Sequence, residues 1–196
     1  ADTLKRDITE GQCQAVIFED YAKGVLSPGL IAEISTVARQ HGVMAALDPH
    51  PAHPFNVKGL TLLTPNRSEA FALAGTYAAP PRLPLTADQP LIDVGARLQD
   101  LWEAEHVLIT LGGHGMALFT GDEDVVHIPT RAREVFDVSG AGDTVTASFV
   151  LALLAGADPV TAARISNHAA GIVVGKVGTA PVTVDELRRS IAEDAG

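Results

Sequence analysis

Cysteine is almost absent. Cys13 is the only one in 196 residues, so no intramolecular disulfide can form and no thiolate metal cage can be built within one chain. Cations are also scarce: 14 Lys and Arg face 24 Asp and Glu, a net charge of −10. Phosphate backbones and anionic membrane surfaces need clustered Lys and Arg, so neither nucleic acid nor membrane is an expected partner. A phosphorylated small molecule stays compatible, because one Lys or one helix N-terminus can hold it. Long apolar runs are missing as well. The longest, residues 147–157, is broken by Ser148 and Gly156 and is too short to cross a bilayer. No charged-then-apolar leader opens the chain. Together these features predict a reduced, cytoplasmic setting. The chain opens on Ala1, in what reads as the tail of a helix, which predicts further sequence upstream. The length suits one domain, or little more.

What is present is an alternation of short β-rich runs and amphipathic helices, the pattern of an α/β domain with a mainly parallel sheet. Strands are predicted at Ala15–Phe18, Val43–Leu47, Leu60–Leu63 and His106–Leu111. Ser27-Pro28 starts a helix, with Ser as N-cap and Pro at the first helical position, and Gly42 closes it. Residues 75–90, rich in Pro and Ala without periodicity, read as a surface loop or insertion. A helix is predicted over Leu91–Trp102. A hairpin joins Met116–Thr120 to Val125–Ile128 through Gly121-Asp122. Glu134–Asp137 leads into Gly140-Ala141-Gly142 and a long apolar helix ending at Leu154. Helices Pro159–Val174 and Thr183–Ala192 follow.

Asp20, Asp48 and Asn66 each stand just after a predicted strand. In open α/β sheets ligands bind beyond the carboxyl ends of the strands, although Asp and Asn there also serve as ordinary helix caps. The segment Asp137-Val138-Ser139-Gly140-Ala141-Gly142-Asp143-Thr144 carries more information. Small residues open an apolar helix whose first N–H groups lack intrahelical partners and point at any approaching anion. Gly140 and Gly142 let that anion approach the main chain. Asp143 then places a carboxylate beside it, suited to taking a proton from an attacking hydroxyl. An Asp that merely complements the helix dipole beside a Gly-rich turn would have the same local pattern.

The octapeptide DVSGAGDT resembles the C-terminal signature of the ribokinase-like (PfkB) carbohydrate kinases, which usually carry Thr where Ser139 stands. Other stretches match in that family's order. TPNRSE (Thr64–Glu69) resembles its N-x-x-E motif. TLGGHG (Thr110–Gly115) resembles the strand and turn flanking the nucleotide. Asn167-His168-Ala169-Ala170 resembles the helix beside adenine. Within the family, DYAKG (Asp20–Gly24), Asp48-Pro49 and VGKVGT (Val174–Thr179) look most like the D-glycero-β-D-manno-heptose 7-phosphate kinases. The resemblance runs from about Asp7 to the C-terminus.

That resemblance implies a three-layer α/β/α sandwich of ribokinase-like type, with residues 1–196 forming the C-terminal, nucleotide-binding portion of a kinase domain. The family's Gly-Gly sugar turn and lid strands have no counterpart before Ala15. It implies ATP-dependent phosphorylation of a sugar hydroxyl, O1 of a heptose 7-phosphate, with Mg²⁺. Asp143 would be the base, and the amides of Gly140, Ala141 and Gly142 the anion hole. Asn66, Thr110, Gly113, Gly115, Asn167 and Gly178 would bind the nucleotide. Asn66 and Glu69 would hold Mg²⁺ through water, and Asp20 and Lys23 the sugar phosphate. Plainer readings stand beside these. Asn66 and Glu69 fit a capping box, Lys23 fits a solvated surface residue, and Thr110 with its glycines fits a strand end and turn. His50 and His53 have no third ligand at suitable spacing, so a Pro-rich loop is the expectation there. Another sugar kinase of the family, a nucleotide-binding module without catalysis and an oligomerisation domain are the rival functions. Exposed sheet edges predict pairing with a second copy as a homodimer.

Overall fold

The computed structural model describes residues 1–53, 57–121, 125–132 and 135–194. Its sheet follows chain order: β1 (Ala15–Glu19), β2 (Met44–Asp48), β3 (Leu62–Leu63), β4 (His106–Thr110), β5 (Met116–Phe119) and β6 (Val126–Ile128). The first four strands are parallel, and β4, β5 and β6 pair antiparallel. This strand order decides where the helices go. Right-handed crossovers between successive parallel neighbours all fall on one face of the sheet. On that face lie α2 (Pro28–Gln40), α3 (Arg67–Leu73) and α4 (Gln89–Trp102), with α1 (Asp2–Thr9) against α2. The opposite face is closed by helices that come after the sheet is complete, α5 (Ala141–Leu154) and α6 (Pro159–Val174), with α7 (Val184–Asp194) resting on α6.

Successive strand residues feed the two faces in turn. Leu47, Leu63, Val107 and Ile109 join a core with Ile31, Ile34, Phe71, Leu91 and Leu98. Ala46, Leu62, Leu108 and Leu118 join a second core with Phe149, Val150, Ala162 and Ala163. With both faces covered, the central strands read as unbroken apolar runs rather than alternating ones. The result is the expected α/β/α sandwich.

Most element boundaries fall within a residue or two of the expected ones. Ser27 accepts the Leu30 N–H at 3.2 Å and so caps α2. The ladder of β3 contains only Leu62 and Leu63, two residues fewer than the sequence suggests. The β5–β6 hairpin pairs Met116 with Ile128 and Leu118 with Val126. Asp122 of its expected turn and Glu134 of the next segment lie outside the described residues.

Residues 75–90 depart from the expectation of a plain surface loop. Leu85 and Asp88 are almost fully buried, Leu85–Ala87 form a 3₁₀ turn and α4 begins at Gln89. The cause is Arg67, whose guanidinium donates to Asp88 Oδ2 at 2.9 Å and to Ala79 O at 3.0 Å and sits 4.8 Å over the Phe71 ring. Asp88 Oδ2 also accepts the Arg82 N–H at 3.2 Å. A paired charge thus draws an unpatterned segment into the core. Asp88→Ala would leave the Arg67 charge enclosed, with an expected loss of about 3–5 kcal/mol in urea unfolding. Removing the exposed Lys58–Glu103 pair should cost less than about 1 kcal/mol.

Candidate active site

Helix α5 begins without a side-chain cap. Gly140 stands at the N-cap with φ +76°, a backbone shape that favours glycine. A Cβ there would also lie 3.1 Å from Thr179 Cγ2. Thr144 secures the first turn by donating from Oγ1 to Gly140 O at 2.8 Å. The Ala141 N–H turns back to Val138 O at 3.2 Å. The amides of Gly142 and Asp143 have no carbonyl four residues back within the helix, whereas that of Ala141, one of the three expected anion donors, is already engaged. Asp137 braces the turn, accepting from Ser139 N–H at 2.9 Å and Gly178 N–H at 3.1 Å. Hydrogen bonds from Ser139, then Gly178, hold its carboxyl below the usual range.

Three elements converge on one carboxylate cluster. Parallel pairing sets Glu19, the last residue of β1, beside Asp48, the last of β2. The first turn of α5 adds Asp143, and one oxygen from each lies within 4.8 Å of the others. Three carboxylate oxygens this close have a spacing that a hard divalent cation could share. Burial, then the Asp143 charge, pushes the Glu19 carboxyl up to about 7. Burial, then the charges of Glu19, Glu69 and Asp143, pushes Asp48 up to about 8. A hydroxyl chain runs beneath: Thr64 Oγ1 lies 3.4 Å from Asp48 Oδ1 and 2.8 Å from Thr146 Oγ1, and Thr146 Oγ1 donates to Gly142 O at 3.2 Å. The Tyr21 hydroxyl bonds to Asp143, and chiefly for that reason its own proton is held to about 12.

Two cavities open on either side of α5's first turn. One, of about 480 Å³, is lined by Asp48, Thr64, Asn66, Glu69, Thr110 and Gly142. Asn66 and Glu69 form the complete capping box there. Asn66 Oδ1 accepts the Glu69 N–H at 3.0 Å and Glu69 Oε2 accepts the Asn66 N–H at 2.8 Å. The cap and a place at the cleft are therefore both real. The second cavity, of about 240 Å³, is apolar and is lined by Thr110, Gly113, Gly115, Ala141, Gly142 and Asn167 among others. Gly115 has no room for a side chain, since a Cβ would fall 2.0 Å from Ile128 O.

A profile of the "pfkB family carbohydrate kinase" family matches residues 10–186. The chain belongs to that family. Among curated pfkB relatives, the bifunctional protein HldE of Geobacter sulfurreducens is 41% identical over 92% of this chain. HldE of Alcanivorax borkumensis is 40% identical over all of it. The chain spans 36% and 39% of those two proteins. The Arabidopsis thaliana ribokinase, solved with ribose and ATP, shares the fold at a TM-score of 0.82 and 21% identity. The alignment covers 97% of this chain and 59% of that one. Phosphofructokinase-2 of Escherichia coli, solved with substrates and products, gives 0.80 at 15% identity, over all of this chain and 62% of that one.

In this pfkB chain, Thr110, Gly113, Gly115, Ala141, Gly142 and Asn167 line the apolar cavity, Asn66 and Glu69 line the neighbouring cleft, and Gly140 and Asp143 flank Ala141 and Gly142 in the chain without lining either, Asp143 joining the carboxylate cluster. Three expected residues stand apart. The Asp20 side chain is buried, 3% exposed, and accepts from Ala22 N–H at 2.8 Å with His53 Nδ1 3.0 Å away. It shapes the turn after β1. Lys23 is exposed on that turn. Gly178 serves Asp137 and lies off the apolar cavity's lining. Glu19, Tyr21, Thr64 and Thr146 were not anticipated. Glu19 obeys the same strand-end rule as Asp20, and strand parity distinguishes the two only once the pairing register is known.

The cluster has a stability signature. Glu19 and Asp48 hold a proton more tightly in the fold than in the unfolded chain, where carboxyls titrate near ~4. Their contribution is therefore complete at acid pH and lost as pH rises toward 8. In metal-free buffer the melting temperature should fall between roughly pH 5 and 8.5, and Glu19→Gln should reduce that fall by about half. An identical profile in the variant would show that Glu19 does not titrate in this window.

Proposed function

We propose that this chain carries the nucleotide-binding and catalytic part of a sugar kinase that transfers the γ-phosphoryl group of ATP to a sugar hydroxyl. The substrate favoured is O1 of D-glycero-β-D-manno-heptose 7-phosphate. The observation that carries this reading is the place of Asp143. It stands in the first turn of α5, next to Gly142, which lines both the apolar cavity and the strand-end cleft, and its carboxylate joins those of Glu19 and Asp48. The apolar cavity suits a purine, with Thr110 and Asn167 as its polar edges. A γ-phosphate leaving that cavity would meet the N-terminus of α5, where the helix dipole favours negative charge.

In the step itself the sugar oxygen bonds to the γ-phosphorus while the bond from that phosphorus to the β–γ bridging oxygen breaks. ADP departs and the hydroxyl proton passes to Asp143. Amides aimed at the transferred group stabilise its charge, each worth about 3–4 kcal/mol in comparable anion holes. The oxygen-rich rim fits a hard cation: Asn66 and Glu69 would hold Mg²⁺ through water, as suits an ion that dehydrates reluctantly. When bound, Mg²⁺ supplies charge neutralisation between the β- and γ-phosphates. The Lys23 ammonium, exposed after β1, is the candidate for the sugar 7-phosphate. Support for heptose comes from the DYAKG segment and from the identity of about 40% to HldE proteins. A cytoplasmic enzyme with pairing through the edge strand β1 completes the reading.

The test is phosphoryl transfer from ATP to heptose 7-phosphate, by this chain extended to the length of its solved relatives. Asp143→Asn should lower turnover by roughly 10²–10⁴-fold with ADP affinity little changed. Wild-type turnover would remove Asp143 from the chemistry, and equal rates on unphosphorylated sugars would remove the heptose phosphate as the preferred substrate. Glu69→Gln keeps the cap's geometry and loses a charge. It should raise the magnesium needed for half-maximal rate several-fold while the melting temperature holds. An unchanged magnesium requirement would leave Glu69 with the cap alone.

A further inference from the structure

The apolar cavity has an outer wall made of main chain. Thr130 and Ala132 line it on one side, and on the other they line an open groove of about 660 Å³ bounded by α6 and α7. The strap Pro129–Ala132 thus separates the proposed nucleotide pocket from the groove. It follows β6 and belongs to no helix or strand, so its position depends on how it is pinned.

From α6 the pins are tight. Asn167, 4% exposed, donates from Nδ2 to Pro129 O at 2.6 Å. Gly171 lets the strap lie close, since a Cβ there would meet the backbone of Arg131 and Ala132 at 3.2–3.3 Å. From α7 the pins are polar. The Arg131 guanidinium pairs with the Asp194 carboxylate. The same carboxylate lies 3.7 Å from His168 Nε2, and His168 Nδ1 lies 2.8 Å from Ser190 Oγ. Farther along, Lys176 Nζ pairs with Glu186 at 2.8 Å. α7 contributes no buried residue of its own. It is held against the body by charge and hydrogen bonds, and those at its C-terminal end fall on the strap and on His168 behind it.

We propose that α7 is a polar latch on the strap, with Arg131, Asp194, His168 and Ser190 as positioning residues that set nucleotide affinity without touching the nucleotide. Asn167 then works on the pocket in two ways, as lining and as the inner anchor of its wall. Release of the latch lets Thr130 and Ala132 move outward into the groove and widens the apolar pocket. The inference rests on the nucleotide reading of that cavity.

Asp194→Lys gives the decisive test. It places a cation beside Arg131 and breaks the latch by repulsion. It also makes the neighbourhood more positive, which through long-range attraction alone would tighten ADP binding. The latch predicts the opposite: ADP affinity by isothermal titration should weaken roughly two- to fivefold, the range expected for loss of a partly exposed ion pair. Amide hydrogen exchange at residues 130–132 should quicken in the nucleotide-free protein. The charge swap Arg131→Asp with Asp194→Lys should recover both, while the melting temperatures of the three proteins stay close. Equal or tighter ADP binding in Asp194→Lys, or no recovery in the swap, would overturn the latch and leave the nucleotide reading standing. A wild-type chain that binds no ADP would overturn both.

Discussion

The site depends on one helix having to be buried while its first turn stays open. From Phe149 to its end α5 is wholly apolar, its polar residues lying in the first two turns, and it buries Val145, Thr146, Phe149, Val150 and Ala152 against the sheet and α6. An apolar rod of this kind has no choice of layer. It must fill the face that the crossover helices leave bare, and the sheet's strict strand order leaves one face bare. Packed on β1 and β2, it brings its N-terminus to the carboxyl ends of those strands. There the uncapped amides and Asp143 meet Glu19 and Asp48. A side-chain cap at position 140 would satisfy the helix and close the site. Glycine in the left-handed region satisfies the backbone and leaves the amides available.

The electrostatics follow from the same placement. Three carboxylates and Glu69 near one point in a chain of net charge −10 would repel a bare phosphate. The N-terminus of α5 answers that repulsion on the side of the apolar cavity. On the other side Glu19 and Asp48 answer it by holding a proton, or by accepting a divalent cation. The hydroxyl chain Asp48–Thr64–Thr146–Gly142 O ties the two sides together without adding charge. A polar network in which each member has a partner can sit at a buried seam at little cost.

Legibility from sequence divided along physical lines. Features set by local chemistry were readable: the Ser27-Pro28 start, the hairpin, the Gly140–Asp143 turn, and the capping box at Asn66, whose cap and cleft readings proved compatible. Features set by register or by distant partners were not. Glu19 and Asp20 are indistinguishable as letters, yet the pairing of β1 with β2 sends Glu19 to Asp143 while Asp20 turns to His53. Residues 75–90 lack any periodic signal because their order comes from Arg67, a residue up to 21 positions away. Gly178 was expected beside the nucleotide, and what the hydrogen bonds show is its amide steadying Asp137. Motif resemblance located the neighbourhood, and hydrogen bonding decided the task of each residue within it.

The two sides of the site also differ in how they are built. The apolar-cavity side draws on the end of β4, the strap and α6, and these are pinned to one another: Gly115 against Ile128, Asn167 to Pro129, Gly171 against Arg131. Such a unit can keep its shape through contacts among its own near neighbours. The other side is carried by strand ends, Glu19 through Lys23 and Asp48, on the edge strand β1 and the strand beside it. Edge backbone groups invite a further strand, and whatever pairs with β1 would be guided along Glu19 and Tyr21 to Asp143. Geometry of this kind would let the apolar-cavity side keep its shape whatever is laid along β1. This chain shares its fold with ribokinases and a phosphofructokinase at only 14–21% identity.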